Sequence, residues 1–215
     1  MTTPSMIPSR DSNPFATCWT RPGALPFLAT GGVSVEACVA QLMSSDWRGQ
    51  ILGPHGSGKS TLLKAIGREI ESLGTPVRWI RGGRDFAPPS DPAVRGRVCL
   101  IDSFEQLSCW RRRQWRRRGW GVVATSHSTA GLPTLASLSP SFNDLTCCFN
   151  RLTRDHETSV TLADLRHAFG RHGANAREIW FDLYDRHEQR RREPSRLDFV
   201  QEPGKGLSRA CGGPA

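Results

Sequence analysis

The chain has 215 residues, 37% of them hydrophobic and 23% charged, with 29 Lys and Arg against 20 Asp and Glu for a formal charge of +9. That length sustains one buried core with a small appendage and excludes a large multidomain machine within the chain. No apolar run approaches the roughly 18–20 residues needed to cross a bilayer, so helical membrane insertion is not expected, and the basic excess favours phosphate-rich partners.

Residues 1–21 are rich in Ser, Thr and Pro without a hydrophobic period, which predicts a loosely ordered lead-in that docks through Phe15 and Trp19. They also lack a cationic start followed by an apolar stretch, so no export leader is expected. Seven cysteines are scattered without a CxxC pair; reduced, structural thiols and a cytoplasmic location follow as the expectation.

Between 22 and 150, short apolar runs alternate with helical stretches. The runs Gln50–Leu52, Val77–Ile80, Val98–Ile101, Gly121–Ala124 and Leu145–Phe149 have the length and β-branched content of buried strands. Strand and helix in alternation predict an α/β fold, a parallel sheet covered on both faces. The helix after the first run is the clearest, with Leu62, Leu63, Ile66, Ile70 and Leu73 at helical spacing and Gly74 as a left-handed stop. Over 151–192, capping-box spacing at Thr161–Asp164 and a second cap at Asn175–Glu178 predict a small two-helix appendage. The tail 193–215, with its Pro and Gly, is expected to be disordered.

Gly53-Pro54-His55-Gly56-Ser57-Gly58-Lys59-Ser60 matches G-x-x-x-x-G-K-[ST] without a mismatch, between the first strand and the strongest helix. Glycines let successive amides turn inward, and the helix end adds its partial positive charge to the same concavity. Lys59 then brings a mobile cation to the β- and γ-phosphates, and the Ser60 hydroxyl is a magnesium ligand. The candidate nucleotide-binding residues are Gly53, Pro54, His55, Gly56, Ser57, Gly58, Lys59, Ser60 and Thr61. This segment resembles the Walker A element of P-loop NTPases. Val98-Cys99-Leu100-Ile101-Asp102, an apolar strand ending in a carboxylate, resembles Walker B and assigns Asp102 to Mg²⁺ with Ser60. The resemblance implies a three-layer α/β/α P-loop core of the division that carries an additional strand beside the phosphate-loop strand.

Many ATPases of that division place a Glu directly after this Asp; here Ser103 stands there, and Glu105 is the nearest carboxylate. Glu105 is either the residue that orients the attacking water or a first-turn charge of a Ser103–Gln106 capping box. In the same division the additional strand carries a polar residue that senses the γ-phosphate. Thr125, Ser126 and His127 are the candidates, with His127 favoured. Gly173-Ala174-Asn175-Ala176-Arg177-Glu178 is similar to the sequence with which some AAA+ proteins open a lid helix, which implies a γ-phosphate contact for Arg177. Trp19, Phe15 and Trp47 are candidates for stacking on adenine, and the absence of an N-K-x-D motif favours ATP over GTP.

Lysine occurs only at Lys59, Lys64 and Lys205, and six arginines crowd positions 111–118 with Trp110 and Trp115 among them. The segment predicts a connecting helix that packs through Leu107, Trp110 and Trp115. Its arginines form a solvated face, a surface for nucleic acid or another polyanion, or a finger reaching a neighbouring subunit. The expectation is a Mg²⁺-dependent ATPase serving as a switch or motor subunit, with a protein client or as a homo-oligomer, in which Lys59, Glu105 and His127 are catalytic. The alternatives are a small kinase whose acceptor site lies between Gly82 and Arg97, and a polyanion-binding adaptor with a slow ATP site. Ser128–Asp144 lacks the arginine that a kinase lid of this size carries, which counts against the first.

Overall fold

The computed structural model describes residues 13–29, 32–81, 97–117 and 121–192. The expectations for residues 1–12, for most of the acceptor loop (82–96), for Arg118 and for the tail from 193 lie outside the described residues.

Five parallel strands form one sheet in the order β2-β3-β4-β1-β5: β1 (Arg48–Leu52), β2 (Val77–Arg81), β3 (Val98–Asp102), β4 (Gly121–Ser126) and β5 (Thr134–Ser137). The α/β class read from the sequence is the class observed. The expected fifth strand is not: Leu145–Phe149 lies inside helix α5 (Phe142–Thr153), and Thr134–Ser137 completes the sheet instead. The reason is local. Ser141 and Asp144 close a reciprocal capping box that starts a helix, after which Leu145, Phe149 and Leu152 repeat at helical spacing. β4 is interposed between β1 and β3, so a further strand stands beside the phosphate-loop strand, as the motifs led one to expect.

Helix α1 is a single turn (Thr17–Thr20). Helix α2 (Val35–Ser44) starts on Ser34, whose side chain accepts the Ala37 amide at 3.1 Å. Helix α3 (Lys59–Ser72) buries Leu62, Leu63, Ile66 and Ile70 against β1, β3 and β4, and each such burial contributes about 1.5–3 kcal/mol. Leu73 leaves that stripe; it caps the helix end, 53% exposed, before Gly74 turns the chain at φ 78°. Helix α4 (Cys109–Arg117) covers the opposite face, with Trp115 and Leu107 buried among Ile80, Ile101, Phe104 and Ala124. Trp110, expected to pack there too, is 61% exposed.

Helices α5, α6 (Leu162–His172) and α7 (Ala176–Arg192) form a third core; α6 and α7 are the two helices expected over 151–192, and α5, which begins at Phe142, packs with them. Phe15 belongs to it, buried with its ring 5.7 Å from that of Phe149 and 6.4 Å from that of Trp180. Asn13 ties the same segment to α7 by donating to Tyr184 O and Glu188 Oε1. From Asn13 onward the lead-in is therefore structured, because its aromatic ring completes a core that three short helices would leave open. Thr161 and Asp164 make the predicted capping box on α6, and Asn175 Oδ1 accepts the Glu178 amide of α7 at 3.4 Å. Among the described residues no helix is long and apolar enough to cross a membrane.

Candidate functional site

Parallel strands bring their C-terminal ends to one edge of the sheet, and the connections that leave that edge form a crevice. β1 delivers Gly53–Gly58 there, β3 delivers Asp102 and β4 delivers Thr125–His127. Register sets the details. Ile101 pairs with Ala124, so the next step along both strands brings Asp102 level with Thr125, whose hydroxyl donates to Asp102 Oδ1 at 2.6 Å.

The turn over 53–58 runs straight into α3. Gly58, the residue before the helix, has φ 92° and no side-chain cap, so the first amides of α3 face the crevice with the positive end of the helix dipole behind them. Gly56 has φ 70°, and a β-carbon on it would collide with Asn175 Oδ1 and lie 3.1 Å from the Arg177 amide. Glycine is therefore needed at position 56 twice over, for the left-handed backbone and for close approach of the α7 N-terminus. Ser57 Oγ is buried without a hydrogen-bond partner, an orphaned donor inside the turn.

Lys59 curls back over the loop and donates from Nζ to the carbonyls of Gly53 at 2.7 Å and Pro54 at 2.6 Å. Burial lowers its pKa from the ordinary value; the Glu105 and Asp102 carboxylates oppose that effect and the Arg177 guanidinium adds to it. Ser60 Oγ donates to Asp102 at 2.9 Å to Oδ1 and 3.0 Å to Oδ2. A hydroxyl and a carboxylate are hard oxygen donors of the kind Mg²⁺ selects. Among the described residues no group of three or more His, Cys, Asp or Glu could hold a metal.

Ser103 does not cap the following turn. It adopts φ 61° with no side-chain cap, and its amide donates to Thr125 Oγ1 at 2.8 Å, which overturns the capping-box alternative for Ser103–Gln106. The short 3-10 turn Phe104–Gln106 instead projects Glu105 toward His127, with Nε2 of His127 3.4 Å from Glu105 Oε1. Glu105 Oε2 is buried without a partner. Nδ1 of His127 lies 3.1 Å from Gly53 O and 3.5 Å from Lys59 Nζ, and the His55 ring centroid is 3.9 Å from that of His127. The fold thus gathers Gly53, Lys59, Ser60, Asp102, Glu105, Thr125 and both histidines around one point.

These residues open into a cavity of about 720 Å³, also lined by Thr61 and Arg177. Leu25–Leu28 of the N-terminal segment and Trp180 and Phe181 of α7 give it an apolar wall. None of the proposed adenine stackers lines it. Phe15 is consumed in the helical core, Trp19 lies against His156, and Trp47 packs against the core beside Gly121, where β4 begins at the opposite edge of the sheet. Leu25–Leu28 has no helical or strand period, so no sequence pattern marked this apolar wall.

No protein-family model matches the chain, and no curated protein matches it. Among solved structures, NtrX from Brucella abortus in complex with ATP is similar at a TM-score of 0.51 and 11% identity, over 76% of this chain and 52% of that one. NtrX from the same organism in complex with ADP gives a TM-score of 0.49 at 11% identity, over 78% of this chain and 53% of that one. This chain therefore spans about half the length of the proteins it matches, and the likeness to the ATP complex establishes a shared α/β fold.

Proposed function

We propose that the chain binds Mg-ATP as a P-loop protein and hydrolyses it slowly as a switch or motor subunit. The observation that carries this reading is the trio at the head of α3: Lys59 Nζ folded over the loop, and Ser60 hydrogen-bonded to Asp102 on a different strand. Nothing about a flexible surface turn requires a lysine, a serine and a carboxylate from distant segments to converge. Further support comes from the orphaned Ser57 hydroxyl, the left-handed glycines and the cavity volume, which is of the size that takes a nucleotide. The interposition of β4 between β1 and β3 supports the same reading, since the division that the motifs resemble carries an additional strand beside the phosphate-loop strand. The similar fold described in complex with ATP fits the same reading.

In this reading Lys59 leaves the Gly53 and Pro54 carbonyls for the phosphates, while loop amides and the α3 dipole hold the remaining negative charge. Magnesium held by Ser60 and Asp102 would neutralise charge on the β- and γ-phosphates. Thr125 orients the Asp102 carboxylate through its 2.6 Å bond, and His127 holds Glu105, whose unpartnered oxygen is the acceptor for a proton from water. Arg177 sits at the cavity wall on the second residue of α7, so its contact would link the phosphates to the helical part. The apolar wall would cover the base. We place the phosphate-binding core at 22–150 and a lid-like helical part from 151, to which α5 is packed.

A second reading, a nucleotide-binding adaptor with a near-silent site, is favoured by Ser103 directly after Asp102 and by the engagement of Glu105 with His127. One pair of measurements separates the two: Mg²⁺-dependent affinity for ATP, and release of inorganic phosphate over hours. Binding with phosphate release, both lost in Lys59→Ala, supports the ATPase. Binding without release supports the adaptor, and no magnesium-dependent binding of any nucleoside triphosphate overturns both.

A further inference from the structure

Three arginines of the helical part are held in ion pairs: Arg186 and Arg190 bind Asp164, and Arg171 and Arg186 bind Asp182, at 2.7–3.3 Å. On α4, Arg111, Arg112, Arg113, Arg116 and Arg117 occupy five of nine positions, the helix carries no carboxylate, and none of the five has an ion pair among the described residues. Five cations brought within about 14 Å of helix repel one another, a standing cost that a bound polyanion removes.

Geometry sorts these side chains. With Trp115 turned into the core, residues 110, 113 and 117 fall on the opposite, outward side of the helix, and Arg116 flanks them. Trp110 is 61% exposed, with the Arg111 guanidinium 4.7 Å from its ring centre. An outward tryptophan in a field of arginines is an unusual use of a large apolar ring, since burying it would have been favourable. The pair offers what a nucleic-acid strand recognises, a flat π-face for a base and planar guanidiniums for phosphates on either side. Stacking on an exposed side chain requires an unpaired base, which selects a single strand over a duplex.

We infer that the outer face of α4 binds single-stranded nucleic acid, with Arg113, Arg116 and Arg117 on phosphates and Trp110 stacked on a base. This surface is separate from the crevice and does not depend on what the crevice binds. α4 begins just past the turn that carries Glu105 and ends before β4, and because β3 and β4 are parallel it runs from the site edge of the sheet to the opposite edge.

The test is fluorescence anisotropy of the full chain, without nucleotide, against labelled twelve-base oligo-dT and oligo-U and a duplex of the same length, each across a salt series. Expected is preference for the single strands, with affinity falling steeply as salt rises. Replacing Arg113, Arg116 and Arg117 together by Gln should weaken binding at least tenfold and reduce the salt slope by about 2, as expected for three lost phosphate contacts. The same three changed to Lys should restore the slope. Trp110→Ala should weaken binding about fivefold or more with the slope unchanged. These positions are outward, and a melting curve matching the wild type verifies folding. Comparison of oligo-dT with oligo-U assigns DNA or RNA. Tighter binding to duplex, indifference to the triple Gln change, displacement by polyglutamate with Trp110→Ala silent, or no binding at low salt would each overturn the inference.

Discussion

Ser60 Oγ donates to both oxygens of Asp102, at 2.9 and 3.0 Å, joining the first turn of α3 to the end of β3 across the interposed strand β4. A lone hydroxyl–carboxylate bond at a surface would be worth about 1 kcal/mol, too little to fix two elements. Its value here is geometric: it sets two hard oxygens side by side at the positive end of a helix. Asp102→Asn keeps the shape but removes the charge that would attract a divalent cation. The expected outcome is a fall in Mg²⁺-dependent ATP turnover of about a hundredfold or more, with nucleotide binding no longer responding to magnesium. Titration calorimetry with ATP, with and without Mg²⁺, checks it; unchanged magnesium dependence would show that Asp102 is not the metal carboxylate.

Glu105 and His127 make a separable pair. If Glu105 accepts the proton from water, Glu105→Gln should reduce phosphate release by about 10²–10⁴-fold while leaving ATP affinity within a few-fold of wild type. His127→Asn should affect turnover less, because it positions Glu105 rather than receiving the proton. Single-turnover phosphate release reads both. Equal losses of turnover and affinity in Glu105→Gln would mean instead that the carboxylate holds the loop together.

Gly56→Ala addresses the contact between the loop and α7. Alanine at φ 70° is strained, and its β-carbon would meet Asn175 Oδ1, the acceptor at the start of α7. Backbone strain of this kind costs about 1–3 kcal/mol, so urea unfolding should shift to lower concentration and ATP affinity should drop with it. Asn175→Ala relieves the collision but removes the cap. In the double variant part of the affinity should return, and the absence of any return would separate the loop from the helical part energetically.

What the sequence made legible was the part governed by local rules. The 53–60 motif, the α3 stripe and the Asp102 strand are short-range patterns whose spacing has one physical solution. Leu145–Phe149 misled because an apolar run of five cannot distinguish strand from buried helix, and the capping box at Ser141 and Asp144 that decides the matter lies upstream of the run. The partnership of Thr125 with Asp102 depends on strand register between residues 23 apart in the chain, which no local pattern records. The neighbours of Glu105 were hidden for the same reason: His127 approaches from β4, and its position depends on β4 lying between β1 and β3. Leu25–Leu28 was obscured by its irregular, Pro-containing context, whereas Phe15, expected to dock from the lead-in, does so in the helical core.

The helical part is braced by a carboxylate whose titration gives it an acid limit. Asp164 is 7% exposed and accepts hydrogen bonds from Arg190 at 2.7 and 2.8 Å; these hold its carboxyl well below the usual range, burial opposes them, and the Thr161 amide and hydroxyl reinforce them. A depressed folded value means that the stabilisation is complete above the unfolded pKa of about 4 and is lost as pH falls toward the folded value. His187, lowered by burial and beside Thr158, also loses stability as pH falls, but in a higher window that opens at its unfolded value of about 6.5 and extends downward from there. Unfolding followed by tryptophan fluorescence should therefore weaken in two steps, a shallow one below pH 6.5 and a steeper one below pH 4. Asp164→Asn should lower stability by about 3 kcal/mol at neutral pH, because it leaves two guanidiniums without their buried partner, and it should shrink the steeper step to the part contributed by Asp182, which, against its burial, Arg186 also helps hold below the usual range. Retention of that step in full in Asp164→Asn would assign the acid limit to another carboxylate.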